Sequence, residues 1–322
     1  MIYGIADVGS NTVRLSIYKC EGGEIRLLMN RKVMAGLAGY VRHGALTPEG
    51  IEVACQTLQG YRSLMDNLEL PDLRVFATAS LRNISNTEEA VGAVMAATGL
   101  RVDVLTGREE AELSFRGAIQ NAGLYTGLLV DLGGGSTDAA LINDDGQVTA
   151  IHHAGAGEMV TRIIDLELDL YDRDTAELIK KYPLAKVESL LFLRFEDGSV
   201  KFLSEPLPPA LFSRVVIVTE DTLVPIRSSK RLSIDRIALV RREAKRKVFV
   251  TNAERALREV APDKELRKIG SVALVGGSSQ DFEIADLLAE HLMAYRITTG
   301  RANLMGRLAP HSAVALGLAL TE

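Results

Sequence analysis

Two short stretches place an aspartate at the end of an apolar run and follow it with glycine and hydroxyl side chains. They are Asp7-Val8-Gly9-Ser10-Asn11-Thr12 and Asp131-Leu132-Gly133-Gly134-Gly135-Ser136-Thr137. Glycine lets such a turn take positive φ and brings bare backbone N–H groups close to a ligand, and the hydroxyls add donors, so each turn suits phosphate oxygens. Two such hairpins facing each other would clamp one phosphate chain. Asp7 and Asp131, at the strand ends, suit Mg²⁺ held through water, because this small hard cation keeps several waters and accepts one or two carboxylates beside phosphate oxygens. A third loop, Val275-Gly276-Gly277-Ser278-Ser279, leaves an apolar strand and precedes a helix, where a nucleotide could rest against the glycine turn.

Other residue groups carry related chemistry. Thr78, Ser80 and Arg82 end a strand, where hydroxyls and a guanidinium can bind phosphate with directed hydrogen bonds. Glu109 and Glu110 open a helix, a position that the helix dipole already favours for negative charge. One of these carboxylates could also reach a cleft and orient or deprotonate the water that attacks a terminal phosphorus. His152 and His153 are adjacent in a strand and point to opposite faces, so they cannot chelate together, and a packing or surface role is expected. Gly155-Ala156-Gly157-Glu158 reads as a turn into a helix that adds backbone donors near the phosphates.

The elements that must position these groups alternate. Residues 2 to 8 and 13 to 19 read as strands around GSNT, and EIRLLMNRKVM continues the meander. Thr47-Pro48-Glu49 starts a helix with Thr47 as cap and apolar residues at Ile51, Ala54, Leu58, Tyr61 and Met65. A strand at Arg74 to Thr78, a helix opened near Asn86-Thr87, the strand RVDVL and a helix from about Arg108 to Ala122 complete an α/β half. At GLLVDLGGGSTDAALIND the opening pattern returns, 124 residues on, a domain-scale duplication. Helices follow at Glu158 to Leu170 and Asp174 to Lys181. A variable segment comes next, with a hairpin at FEDGSVKF and a strand RVVIVTE. A long helical stretch from Ile234 to about Glu259 leads to SVALVGGSS. The chain closes with a helix from about Phe282, a strand near Arg296 and a helix at His311 to Leu320.

The 322 residues suffice for two domains with their own cores, and 47% hydrophobic with 25% charged residues excludes disordered and fibrous classes. Two cysteines cannot form a disulfide framework, and Cys20 and Cys55, which lack metal-ligand spacing and lie in apolar stretches, read as reduced core residues and suggest no zinc site. The start lacks the basic and apolar regions of a signal peptide, and no apolar run is long enough to span a membrane, so a cytoplasmic protein is expected. Residues 1 to 150 hold 12 Lys and Arg against 18 Asp and Glu, and the one basic concentration lies between Arg227 and Lys247, nine basic against two acidic residues. Such a stretch suits an acidic partner, nucleic acid or polyphosphate, but no aromatic residues interleave to stack on bases, so it reads as a solvated helix face and nucleic acid is not expected as partner.

At these loops the sequence is identified as a member of the actin-like ATPase superfamily. Residues 1 to about 125 resemble the Ppx/GppA exopolyphosphatase and guanosine pentaphosphatase family through IADVGSNTVRLSIYK, ATASLRNISNTEEAV and LTGREEAELSFRGA. Residues from about 126 to 322 resemble the ATPase part of the large subunit of diol and glycerol dehydratase reactivating factors. LVDLGGGSTDAALI, HHAGAGEMVT, RREAKRKVFVTNAERALR, VALVGGSSQDFEIADLL and GRANLMGRLAPHSAVALGLAL carry this second likeness. EEAELSFRGAI fits both, so the border between the resemblances could lie as early as residue 105.

Together the resemblances imply a duplicated, ribonuclease H-like α/β fold of two domains, 1–125 and 126–322, with a nucleotide or phosphate cleft between them. The first resemblance implies Mg²⁺-dependent hydrolysis of terminal phosphoanhydrides. Glu110 would be the water-activating base, Arg82 would bind phosphate, and Asp7 and Asp131 would sit near the metal. Asp138 stands where that family usually carries a supporting Glu, a shorter arm that weighs against polyphosphate hydrolysis and leaves ATP hydrolysis open. The second resemblance implies ATP-driven release of damaged cobalamin from an adenosylcobalamin-dependent dehydratase. It puts Gly276, Gly277, Ser278 and Ser279 near adenosine, and Gly133 to Thr137 on the phosphates. The large intervening segment that binds the small subunit in those relatives has no counterpart in this chain.

The leading expectation is therefore a Mg²⁺-dependent ATPase of reactivase type. A polyphosphate or guanosine pentaphosphate phosphatase and a nucleotide-gated binding module with little turnover are the alternatives, and a homodimer is left open.

Overall fold

The computed structural model describes residues 1–22, 24–119, 127–142, 147–227, 232–302 and 310–320. β1 (Ile2–Val8) and β2 (Val13–Glu21) form an antiparallel hairpin with Asp7 opposite Arg14 and Val8 opposite Val13. β3 (Glu24–Val33) extends the meander, and β4 (Val41–Arg42) and β5 (Ala45–Leu46) make a small separate ribbon. α1 (Pro48–Asn67) starts as its sequence dictates: the Thr47 hydroxyl accepts the Gly50 N–H at 3.3 Å, Pro48 occupies the first turn, and Ile51, Ala54, Leu58, Tyr61 and Met65 are buried. β6 (Leu73–Ala77) pairs parallel with β1. The single turn α2 (Ala79–Arg82), α3 (Thr87–Thr98), β7 (Val102–Val104) and α4 (Gly107–Ile119) follow.

The second half repeats this plan. β8 (Gly127–Leu132), β9 (Ser136–Ile142) and β10 (Val148–Ala154) form another meander, followed by α5 (Gly157–Glu167) and α6 (Arg173–Lys181). An inserted sheet comes next: β11 (Leu184–Ser189), β12 (Phe192–Phe195), β13 (Val200–Phe202), β14 (Val215–Val218) and β15 (Leu223–Pro225). The β12–β13 hairpin and β14 match expectation, whereas β11, the sheet's central strand, has no counterpart in the sequence reading. α7 (Ile234–Lys245) runs through a π turn at Arg246–Val250 into α8 (Thr251–Val260), and β16 (Ser271–Val275), α9 (Ile284–Leu292), β17 (Thr298–Arg301) and α10 (Ala313–Ala319) complete the chain.

The two large sheets have the same topology, β3-β2-β1-β6-β7 and β10-β9-β8-β16-β17, with β1 parallel to β6 as β8 is to β16. Between them α4 and α10 cross in backbone contact. A Cβ on Gly117 would lie 2.0 Å from the Ala313 carbonyl oxygen, and one on Gly317 would lie 1.9 Å from that of Leu113, so only glycine allows the crossing. Around it, Tyr3, Ile5 and Phe76 of the first sheet, Leu129 and Val275 of the second, and Ala313, Ala315 and Leu316 form one apolar core. The border expected at residue 125 falls in 120–126, outside the described residues, as does the end of the helix drawn to Ala122.

The basic stretch departs from expectation. Lys230 and Arg231 lie outside the described residues, but Arg241 and Lys245 are buried, not solvated. Arg241 pairs with Glu196 and Glu283, Lys245 with Asp281 and Glu283, and both cations lie over the Phe282 ring. These pairs fasten α7 to the inserted sheet and to the loop that follows β16.

Candidate functional site

The predicted loops meet at one cleft of about 670 Å³, within the size range of small-molecule sites. Each hairpin turn is closed by the same bond, Gly9 N–H to Thr12 O at 3.1 Å and Gly133 N–H to Ser136 O at 2.9 Å. The turns face one another: a Cβ on Gly134 would lie 3.8 Å from Ser10 Cβ and 3.9 Å from the Asn11 backbone nitrogen. The third loop joins from the side, where Ser278 Oγ donates to Gly133 O at 2.8 Å. Gly276 takes φ +86°, and a Cβ there would fall 2.2 Å from Asp131 Oδ1, so the turn can press against that aspartate only as glycine. Gly157 N–H and Glu158 N–H bond to Gly133 O and Gly134 O and hold the second hairpin tip against the start of α5.

Asp7, Gly9, Ser10, Asn11, Thr12, Glu110, Asp131, Gly133, Gly134, Gly135, Ser136, Gly276, Gly277 and Ser278 line this cleft. Five predicted residues do not. Ser80 is buried, with its hydroxyl on Val8 O. Thr137 is buried, with its hydroxyl on Gly155 O, and Ser279 Oγ turns back onto Gly276 O. Asp138 is buried behind the turn, where it accepts from Ser136 Oγ at 2.9 Å and contacts His152. Arg82 departs from its expected place on phosphate: its guanidinium bonds Glu110 Oε2 at 2.8 Å and Leu105 O at 2.9 Å and contacts His152 Nδ1 at 3.1 Å. Glu109 caps its own helix by accepting from the Thr106 N–H and hydroxyl, which leaves Glu110 as the glutamate that faces the cleft.

Charge in the cleft is concentrated. Burial pushes Asp7 up to about 7, against the pull of Arg14 and with the push of Asp131. Burial and then Asp138 push Asp131 up to about 7, although Ser114 Oγ donates to its Oδ2 at 2.7 Å. Glu110 is raised well above the usual carboxylate range by burial, then by Asp138 and Asp131, with Arg82 pulling it back.

Asp7 is partly exposed as a residue, yet its Oδ1 is sealed from solvent and has no hydrogen-bond partner among the described residues. An unpartnered carboxylate oxygen beside a second carboxylate fits a cation. Among the described residues no three His, Cys, Asp or Glu side chains gather to hold a metal, so water and phosphate oxygens would supply the remaining ligands, the coordination Mg²⁺ prefers.

Several cleft residues escaped the sequence reading. Arg14 lies directly across the hairpin from Asp7, and Lys32 lies across from Arg14. Counting outward from the GSNT turn finds the first of these. Glu177, Lys180 and Lys181 line the opposite wall with Tyr182, Phe249 and Ile284. Lys180 Nζ donates to Gly157 O at 3.0 Å and to Thr161 Oγ1 at 2.7 Å and pairs with Glu177, while Asn11 Nδ2 reaches across the cleft to Glu177 Oε1 at 3.2 Å. Their spacing in the sequence is that of a surface helix, and only the docking of α6 turns them inward.

Two sheets of one topology, facing each other across a cleft lined by paired glycine turns, define an actin-like ATPase fold. The sequence profile described as the diol dehydratase reactivase ATPase-like domain matches residues 75–322. The chain belongs to that family.

It is 53% identical to the diol dehydratase-reactivating factor large subunit of Klebsiella michiganensis over 223 residues, 69% of this chain and 36% of that protein. Among solved structures, that of a diol dehydratase-reactivating factor in nucleotide-free form superposes with a TM-score of 0.62 at 35% identity, covering 96% of this chain and 59% of the other. An exopolyphosphatase from Cytophaga hutchinsonii shares the fold, with a TM-score of 0.52 at 20% identity over 90% of this chain and 71% of its own. The chain thus spans little more than a third of the length of the curated relative it matches. No described helix is long and apolar enough to cross a membrane.

Proposed function

We propose that the chain is a Mg²⁺-dependent ATPase whose turnover serves the reactivation of an adenosylcobalamin-dependent dehydratase by release of damaged cobalamin. The observation that carries the ATPase reading is the pair of hairpin turns whose tips face each other, so that a Cβ on Gly134 would lie 3.8 Å from Ser10 Cβ, beside the Asp7 carboxylate oxygen that has no partner among the described residues. Backbone N–H groups of Ser10 to Thr12 and of Gly134 and Gly135, with the Ser10 hydroxyl, bind the phosphates, and the turn at Gly276 to Ser278 supports the adenosine. Asp7 and Asp131 would hold Mg²⁺, which supplies charge neutralisation on the phosphate oxygens.

Glu110 orients the attacking water and takes its proton. Burial raises its proton affinity and Arg82 pulls it back, and a raised affinity makes the carboxylate a stronger proton acceptor. Asp131 and Asp138 keep that affinity high. Preorganised donors at the phosphates make electrostatic stabilisation the main contribution, and closure of the two halves excludes water. The reactivation part of the reading is supported by family membership and by the identity to the Klebsiella large subunit.

The test is phosphate release from ATP, long-chain polyphosphate and guanosine pentaphosphate in parallel, with Mg²⁺, beside Glu110→Gln. ATP turnover that falls about a hundredfold or more in the variant is expected. Polyphosphate turnover above ATP turnover would install the phosphatase reading instead. ATP binding with no hydrolysis of any substrate would leave a nucleotide-gated binding module.

A further inference from the structure

His152 is expected to pack or to face solvent, and its half-buried ring packs between Asp138 and Arg82. β10 is the outer strand of its sheet, and His152 pairs in register with Asp138 on β9, so the two side chains share a face. That face meets the first half of the molecule where α2 ends. His152 Nδ1 lies 2.5 Å from Asp138 Oδ1 and 3.1 Å from Arg82 Nη2, and its Nε2 lies 3.4 Å from Asn83 Nδ2. Gly107 makes room for the ring, since a Cβ at that position would stand 3.2 Å from His152 Cβ. The row of contacts Asp138, His152, Arg82, Glu110 thus joins β9, β10, α2 and α4 and ends at the carboxylate that faces the cleft.

We propose that His152 is a positioning residue for hydrolysis: it fills the gap between the buried Asp138 carboxylate and the Arg82 guanidinium and thereby holds Arg82 on Glu110. The inference rests on the reading of Glu110 as the residue that activates water. The Asn83 amide donates to Nε2, which leaves the ring proton on Nδ1 for Asp138. The imidazole is then fixed from both edges, and its Nδ1 edge meets the outer nitrogen of Arg82. Among the described residues the acceptors of Arg82 are Glu110 Oε2 and Leu105 O, both reached by Nη1, and His152 is the side chain against Nη2. Without the ring the guanidinium can swing into the vacated space toward Asp138, a carboxylate that accepts from it, whereas the Nδ1–H turned to Asp138 only blocks its way. Glu110 would then lose the partner that aims it, a misplacement that costs turnover rather than binding.

The experiment compares the wild-type chain with His152→Ala, Asp138→Asn and the double variant Asp138→Glu/His152→Ala. Mg²⁺-dependent phosphate release from ATP, Mg-ATP affinity by titration calorimetry and melting temperature are read on each. The His152 side chain is about a quarter exposed on an outer strand, so its truncation leaves a folded chain. Both single variants are expected to lose about tenfold or more in kcat while Mg-ATP affinity stays within about twofold. The longer carboxylate arm in the double variant reaches Nη2 where the ring stood, so the guanidinium stays on Glu110 without swinging, and the variant is expected to restore most of kcat. Wild-type turnover with no loss in His152→Ala overturns this inference alone. So does a loss matched by weaker Mg-ATP binding, or one that the double variant fails to repair. Absence of wild-type turnover overturns the ATPase reading, and the positioning role falls with it.

Discussion

A carboxylate buried beside two lysines behaves oppositely to one buried beside other carboxylates, and the cleft holds both kinds. Asp7, Asp131 and Glu110 are driven toward the protonated form. Glu177 is buried too, which alone would raise it, but Lys180 and Lys181 bring it down to about 2. Lys180 is pushed down in turn, because burial outweighs what Glu177 returns, so the pair contributes less than the Glu177 shift alone implies.

The folded-state proton affinity of Glu177 is depressed, so its contribution is present above the unfolded carboxylate range and is lost as pH falls toward about 2. Glu177→Gln is therefore expected to lower unfolding free energy by about 1–3 kcal/mol near neutral pH, and by progressively less below about pH 4.5. Urea unfolding across that range checks it, and a constant gap at every pH would reject the assignment. The sequence disclosed little of this scale. Arg14 was readable by hairpin symmetry with Asp7, but His152 and Lys180 owe their roles to partners 14 and 23 residues away, Asp138 and Gly157, which strand register and helix docking supply.

Among the elements, the two glycine turns look alike in sequence and make different demands on glycine. At Gly134 a side chain meets Ser10 and Asn11 at ordinary contact distance, so Gly134→Val sends its methyl groups into the cleft while the backbone stays in place. At Gly276 the positive φ and the 2.2 Å approach to Asp131 Oδ1 leave no room for a side chain. Gly134→Val is accordingly expected to weaken Mg-ATP binding by about tenfold or more at nearly unchanged melting temperature. Gly276→Ala is expected to cost about 2 kcal/mol or more of stability as well. Calorimetry of unfolding and of nucleotide titration separates the two outcomes, and unchanged affinity in Gly134→Val would remove the phosphate role of that turn.

Both turns were legible because aspartate, glycine and hydroxyl residues at a strand end are a local pattern. The inserted sheet was not, since β11 takes its place from β12 and β14, which pair with it on either side. The π turn at 246–250 was equally hidden. It buries Val248, Phe249 and Val250 in succession, a run that a regular helical repeat does not accommodate on one face.

The whole molecule depends on how its halves are joined. Duplication was visible in the sequence, and the fold repeats it strand for strand, but what lies between the copies is set by α4 and α10. Their crossing is apolar, and it is close enough that Gly117 and Gly317 touch the opposing backbone. Packed helices of this kind accommodate relative motion by small sliding, and the two facing hairpin turns sit on the two bodies that would slide. Closure on Mg-ATP should therefore reduce the radius of gyration measured by X-ray scattering.

Gly317→Ala would drive a methyl group into the Leu113 carbonyl, separate the helices and tilt the two sheets apart. Its expected stability loss is about 3 kcal/mol, at the upper end of overpacking costs. The variant should also bind Mg-ATP more weakly and show less compaction on binding, with the secondary structure retained by circular dichroism. Compaction equal to wild type in a folded Gly317→Ala chain would show that closure, if it occurs, turns on some other contact. In that event the Asn11–Glu177 bond across the cleft would be the next joint to examine, because it links the first phosphate turn to α6 independently of the crossing helices.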